Sequence, residues 1–168
     1  MKLRQILLDV APTIFLFAIP ALLVWLTGSD IGGSFPQPLN WLLILLGILP
    51  CLAGLGLMVW TIQLFWVKGK GTLAPLDPTK KLVVVGPYRH VRNPMYSGLL
   101  LVLYGEAILF GSIAILVFAT LILLAVLSYV HLKEEHDLEK RFGKEYQSYK
   151  AHVPRWVPQL KPWEGEET

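Results

Sequence analysis

The sequence predicts an all-α integral membrane protein with four transmembrane helices. The last two form a tight hairpin, and a helical cytoplasmic segment follows at the C-terminus. Three observations predict this. Of 168 residues, 54% are hydrophobic and only 16% charged, where a soluble domain carries about 25%. The charges are segregated: from Trp41 to Val67 there is none in 27 residues, and roughly 20 apolar residues suffice to cross a bilayer core. Lysine and arginine gather in alternate connecting segments, the asymmetry that orients a multi-span chain. The length allows a single membrane domain over residues 1–168.

The first span covers residues 10–27. No small-x-small cleavage site follows it and a second span comes soon after, so it reads as a retained helix rather than a leader. The connection "GSDIGGSFPQPLN" carries no lysine or arginine. The second span, 41–67, is longer than needed and contains Pro50. The loop 68–93 then holds Lys68, Lys70, Lys80, Lys81, Arg89 and Arg92. The next apolar stretch, 95–130, is too long for one crossing and too short for two with a real loop. Its only break is Gly111-Ser112, which divides it into spans at 94–110 and 112–131. With Lys2 and Arg4 ahead of the first span and a basic tail at 132–168, both termini and the loop 68–93 face the cytoplasm. The inner membrane is the expected location. Trp25, Trp41, Trp60 and Trp66 fall near span ends, as interfacial anchors do. The net charge of +3 follows from this topology and from anionic lipid, so nucleic acid is not needed as a partner. Cys51, the only cysteine, lies within a span and supports neither a disulfide framework nor a cysteine metal site.

The chemically distinctive residues lie in two segments flanking the hairpin. The first is "GPYRHVRNPMYSG", residues 86–98. After the extended run "LVVV", Gly86-Pro87 turns the chain. Asn93 suits an N-cap and Pro94 the first helical position, so a helix starts there. Its free N–H groups, with Arg89 and Arg92 beside them, make either an anion site or a positive cuff against lipid headgroups. Tyr96 projects from the first turn. The second segment is "EEHDLEKRFGKEYQSYKAHVPRWVP". The last span runs on as a helix through Arg141-Phe142, with Asp137 and Arg141 spaced as an i,i+4 pair and Gly143 placed to stop it. A further short helix carries Tyr146 and Tyr149 on one side and ends before Pro154. Glu134 and Glu135 emerge where the fourth span leaves the bilayer. They either mark the membrane boundary or meet a cationic ligand group.

Three tempting motifs are set aside. His131 and His136 in "HLKEEH" are five apart, about 140° around a helix, and cannot share a metal. "GLG" at 54–56 lies mid-span with no preceding strand, so it is no dinucleotide fingerprint. "KGKGT" at 68–72 lacks the P-loop spacing and reads as an interfacial turn. Glu106 stands apart. Twelve residues beyond Pro94, it lies about 18 Å into the hydrocarbon, where an acid is a functional candidate. The alternative is a structural hydrogen bond to another helix.

Together the two segments resemble the isoprenylcysteine carboxyl methyltransferase family and, more loosely, the phospholipid N-methyltransferases. The resemblance covers roughly residues 69–158. It rests on "GPYRHVRNPMYSG", the helical hairpin after it, "EE" at its end and "FGKEYQSYKAHVPRWVP". It implies S-adenosylmethionine as methyl donor, bound on the cytoplasmic side without a Rossmann domain, and no metal. By motif match it assigns Tyr88, Arg92, Asn93, Pro94, Tyr96 and Gly98 to the donor pocket. It places Glu134 and Glu135 at the paired acids, Tyr146 and Tyr149 at the tyrosines, and Arg155 at the arginine before the final proline. This chain reads "RNP" where the eukaryotic pattern reads "RHP"; asparagine keeps the cap but removes a titratable imidazole.

The implied acceptor is a lipophilic small molecule or membrane lipid, with a carboxylate, amine or thiol as the methylated group. Arg155 is the candidate to hold an acceptor carboxylate. Glu106, Glu135 and His90 are candidate bases for an amine or thiol. Two other functions remain open at this point: an NADPH-dependent sterol-reductase-like enzyme, and a non-enzymatic membrane scaffold.

Overall fold

The computed structural model describes residues 14–32, 36–65, 67 and 82–165. The predicted start of the first span at residue 10, Lys2 and Arg4, the anchor Trp66, and the basic stretch 68–81 with its "KGKGT" turn lie outside the described residues. Among the described residues every regular element is helical.

A π-helical turn, Ile14–Ala18, leads into α1, Ile19–Thr27, which Gly28 ends at φ 64°. Helix α2 spans Leu39–Leu64 and runs through Pro50. It begins slightly earlier than the prediction of 41, because the amides of Asn40 and Leu42 already reach the carbonyls of Pro36 and Pro38. A 3-10 turn, Gly86–Arg89, precedes α3, Pro94–Leu109. Helix α4 covers Ile113–Tyr129 and passes through a π-helical turn, Val130–Glu134, into α5, Glu135–Phe142. Helix α6, Lys144–His152, completes the set. The predicted helix start at Pro94, break at Gly111 and stop at Gly143 all fall on element boundaries.

Two helical runs are long and apolar enough to cross a membrane, Leu39–Leu64 and Ile113–Phe142; the apolar helices Phe15–Thr27 and Pro94–Leu109 are shorter. The chain divides into two compact units.

The first unit comprises the described residues within 1–56 and 98–124. Here α2 and α3 approach at backbone distance through small residues. A Cβ added at Gly105 would stand 2.6 Å from Cys51 Sγ and 2.8 Å from the Gly47 carbonyl oxygen, and one at Gly47 would stand 2.6 Å from the Leu109 nitrogen. Within lipid, helices associate by such packing rather than by a hydrophobic drive. The Cys51 thiol donates to the Val102 carbonyl at 3.5 Å, and Leu103, Ile115 and Ala119 are fully buried.

The second unit comprises the described residues within 57–97 and 125–168. Its core is Tyr146, Tyr149 and Val153, covered by Leu82, Val84, Leu138, Phe142 and Trp163. The tight bend from α5 into α6 is made at Gly143, whose φ of 54° and ψ of −126° are open to glycine and strained for other residues.

Candidate functional site

The site is built within the second unit, from the entrance of α3 and the exit of α4. Helix α3 starts at Pro94 because proline has no N–H to lose there and its φ is already helical. The Asn93 carbonyl accepts the Ser97 amide at 3.1 Å, opening the helical ladder, while the Asn93 side-chain amide donates to the Arg155 carbonyl at 3.2 Å. Asn93 therefore ties the helix start to the C-terminal segment.

At the other side, the π turn ends on the first of the paired acids, Glu134, and re-phases the helix between it and Glu135, a device that recurs at functional positions. Adjacent residues on a helix point about 100° apart, and the two acids part company accordingly. Glu134 accepts the Tyr96 hydroxyl at 3.0 Å through Oε2. Glu135 goes to the protein's own cations. Its Oε1 lies 2.7 Å from Arg92 Nη1 and accepts Arg155 Nε at 2.8 Å. Its Oε2 accepts Arg155 Nη2 at 2.7 Å and lies 3.6 Å from Lys150 Nζ. The Glu135 and Arg92 side chains are only 7% and 8% exposed, so each needs an opposite charge close by, and Arg155 adds a two-point hydrogen-bonded contact to Glu135. Glu135 is thus committed to structure, and Glu134 is the acid with lone pairs to spare: a carboxylate has about four acceptor positions, and Tyr96 fills one.

Arg92 Nε and Nη1 are both buried without a hydrogen-bond partner among the described residues; Nη1 meets Glu135 as an ion pair only. A buried cationic N–H without an acceptor is costly, and it suits an anionic ligand group. Arg89, by contrast, does not reinforce the helix start. Its Nε donates to the Trp163 carbonyl at 2.7 Å, and its Nη2 lies 3.7 Å from Glu164. His90 is likewise engaged, its Nδ1 donating to the Gln159 carbonyl at 2.7 Å.

The tyrosines serve as framework. Tyr146 and Tyr149 are 2% and 3% exposed, and the Tyr149 hydroxyl donates to the Tyr88 carbonyl at 2.7 Å. Tyr88 is buried, with Phe65 packed edge-on at 5.5 Å between centroids. Burial pushes the pKa values of Tyr88 and Tyr149 up and that of Tyr146 up to about 12. All three hydroxyls therefore stay protonated at neutral pH, and that of Tyr149 is already engaged with the Tyr88 carbonyl.

The structure brings Tyr88, Arg92, Asn93, Pro94, Tyr96, Glu134, Glu135, Tyr146, Tyr149 and Arg155 into one compact unit. Gly98 and Glu106 belong to the other. Gly98 is buried; its carbonyl closely faces Gly54 of α2. Glu106 is buried, as predicted for an intramembrane acid, and its Oε2 makes no hydrogen bond among the described residues, so the structural bond considered for it is not formed through that oxygen. Among the described residues, no three histidine, cysteine or acidic side chains are grouped to hold a metal ion. Two contributors escaped sequence reasoning: the π turn, which has no residue signature, and Gln159 with Trp163, which lie in irregular chain beyond the last helix.

Comparison with known proteins adds three findings. The model of the phospholipid methyltransferase family matches residues 42–145. The chain is 37% identical over 71 residues to a methanethiol S-methyltransferase of Crocosphaera subtropica, a match covering 42% of this chain and 27% of that protein. It is 35% identical over 79 residues to protein-S-isoprenylcysteine O-methyltransferase B of Arabidopsis thaliana, covering 46% of this chain and 40% of the relative. The matched stretch therefore spans at most two fifths of either curated relative.

Proposed function

The chain belongs to the phospholipid methyltransferase family, and on that premise we propose that it transfers a methyl group from S-adenosylmethionine to a lipophilic or membrane-embedded acceptor at the cytoplasmic face of the membrane. The observation that carries this reading is the division of labour around Arg92. One acid, Glu135, neutralises the arginine from within, while Arg92 Nε is buried without a hydrogen bond among the described residues and Glu134 accepts one from Tyr96. That charge pattern fits a zwitterionic ligand. A carboxylate is met by Arg92 and the free amides at the start of α3, and an ammonium is met by Glu134.

When bound, S-adenosylmethionine supplies an electrophilic methyl group on a sulfonium centre. The chain's own residues position and exclude water, which for aligned reactants is worth several kcal/mol. Tyr96 holds the Glu134 carboxylate in place. Glu135 holds Arg92 without touching the ligand. Tyr88, Tyr146 and Tyr149 fix the turn that leads into α3. Arg155 spends two of its five N–H groups on Glu135 and has others to orient an acceptor carboxylate. The two curated relatives are named for S- and O-methylation, which leaves the methylated atom of this chain to experiment.

In the proposed topology all four apolar helices span the bilayer, with α3 and α4 as the hairpin and both termini cytoplasmic. The 16 residues of α3 reach about 24 Å against a core of about 30 Å; local thinning accommodates such a mismatch.

The function is tested by incubating the protein with methyl-labelled donor and a total lipid extract. Label is expected in an organic-soluble product, and its absence across extracts would remove the proposal. Within the site, Tyr96→Phe removes one hydrogen bond to a charged acceptor and is expected to weaken donor binding about tenfold, or ~1.4 kcal/mol. Isothermal titration with S-adenosylhomocysteine checks it.

A further inference from the structure

Beyond α6 the chain leaves helical structure, and residues 154–163 run back along the entrance to α3. The segment 88–93 has no strand or helix partner of its own after its 3-10 turn, and buried backbone polar groups must be satisfied somewhere. The turn itself takes the amides of Tyr88, His90 and Val91, and the C-terminal segment takes the Arg89 and His90 carbonyls and the Arg92 amide. The Arg89 carbonyl accepts the Trp163 amide at 2.9 Å and Gln159 Nε2 at 3.3 Å, and the Arg89 side chain returns a bond to the Trp163 carbonyl. The His90 carbonyl accepts the Gln159 amide at 3.0 Å, and the Arg92 amide donates to the Pro154 carbonyl at 2.9 Å. Asn93 donates to Arg155.

The far end of this strap is pinned by one ring. Trp163 stacks on His152 at 5.6 Å and an interplanar angle of 7°, and lies 5.7 Å from Tyr149, whose hydroxyl reaches the Tyr88 carbonyl. Apolar burial elsewhere does not hold the strap: Val157 is 77% and Leu160 97% exposed. Its attachment rests on these hydrogen bonds, on the Arg155–Glu135 ion pair near its start and on Trp163 at its far end.

We infer that Gln159 and Trp163 are positioning residues, which set the conformation of residues 88–93 through this strap and thereby the affinity of the α3 entrance for the methyl donor. The inference rests on the donor reading above, and it concerns residues beyond both the family match and the segment that carries the resemblance. A preformed entrance avoids an ordering cost at the moment of binding. Without the strap, the backbone of residues 88–93 that leads into α3 must be ordered by the ligand.

The test uses the full chain in lipid nanodiscs, with Trp163→Ala, Trp163→Phe and Gln159→Ala. S-adenosylhomocysteine is titrated into each, and amide hydrogen exchange is followed in ligand-free protein. Trp163→Ala is expected to weaken binding about tenfold and Gln159→Ala about threefold, while Trp163→Phe, which keeps a stacking ring, stays within about twofold of the unmodified chain. Exchange of the 88–93 amides is expected to speed up in Trp163→Ala, with α4 unchanged. Equal affinity and equal exchange in Trp163→Ala and the unmodified chain would overturn the inference. So would a general loss of protection not centred on 88–93. Should Trp163→Ala fail to fold, Gln159→Ala carries the same comparison. Failure of the unmodified chain to bind overturns the donor reading and the affinity role with it. The exchange comparison needs no ligand and separately decides whether the strap orders the entrance.

Discussion

Glu135→Ala is expected to destabilise the protein by about 3–5 kcal/mol, because it leaves Arg92 buried without its counter-charge. The Arg92 side chain is 8% exposed, and Glu135 also holds Arg155 in a two-point contact. Losing one acid thus disorders both the α3 entrance and the C-terminal segment. For a chain of this size each kcal/mol moves the melting temperature by roughly 2–4 °C, so a fall of roughly 10 °C is expected in a thermal melt in detergent. Glu139 is the contrast. It pairs with Lys150 at 2.6 Å, both side chains about a third exposed, and exposed pairs contribute about 0–1 kcal/mol. Glu139→Ala should melt within about 3 °C of the unmodified protein. Equal melting of the two variants would show that Glu135 is not the centre of the cluster.

Gly105→Leu is expected to prevent the first unit from assembling. Even a Cβ there falls 2.6 Å from Cys51 Sγ and 2.8 Å from the Gly47 carbonyl oxygen, and the backbone oxygen cannot turn aside as a side chain can. Overpacking costs typically 1–3 kcal/mol where neighbours can shift, and more where they cannot. Gly56→Ala in α2 is the control, since a Cβ there meets nothing within 4 Å and alanine favours a helix over glycine by about 1 kcal/mol. Gly105→Leu should aggregate or elute as a broad peak on size exclusion, and Gly56→Ala should behave as the unmodified chain. Matching profiles for the two would refute a close α2–α3 contact at Gly105.

These expectations separate what was legible in the sequence from what was not. Helix punctuation was legible, because Asn93-Pro94, Gly111 and Gly143 act through local backbone preference. The burial of Glu106 was legible too, since lipid excludes an exposed acid. The split between Glu134 and Glu135 was not: two adjacent acids look alike in one dimension, and only the π turn and the positions of Arg92 and Arg155 decide which is consumed. Tyr146 and Tyr149, assigned to the donor by resemblance, sit in the core because their helical spacing puts both rings on the face that α6 buries. The strap was illegible for a different reason. Residues 154–163 have no periodicity, and their order comes from hydrogen bonds to a segment some seventy residues earlier in the chain.

The most direct measurement is a calorimetric titration of S-adenosylhomocysteine into the protein in nanodiscs, unmodified and as Glu134→Gln. Saturable binding that weakens at least tenfold in Glu134→Gln, with the melting temperature unchanged, is the predicted result. Absence of binding in the unmodified chain, or equal affinity in the variant, would contradict a pocket in which Glu134 and the Arg92–Asn93 entrance hold one zwitterionic donor.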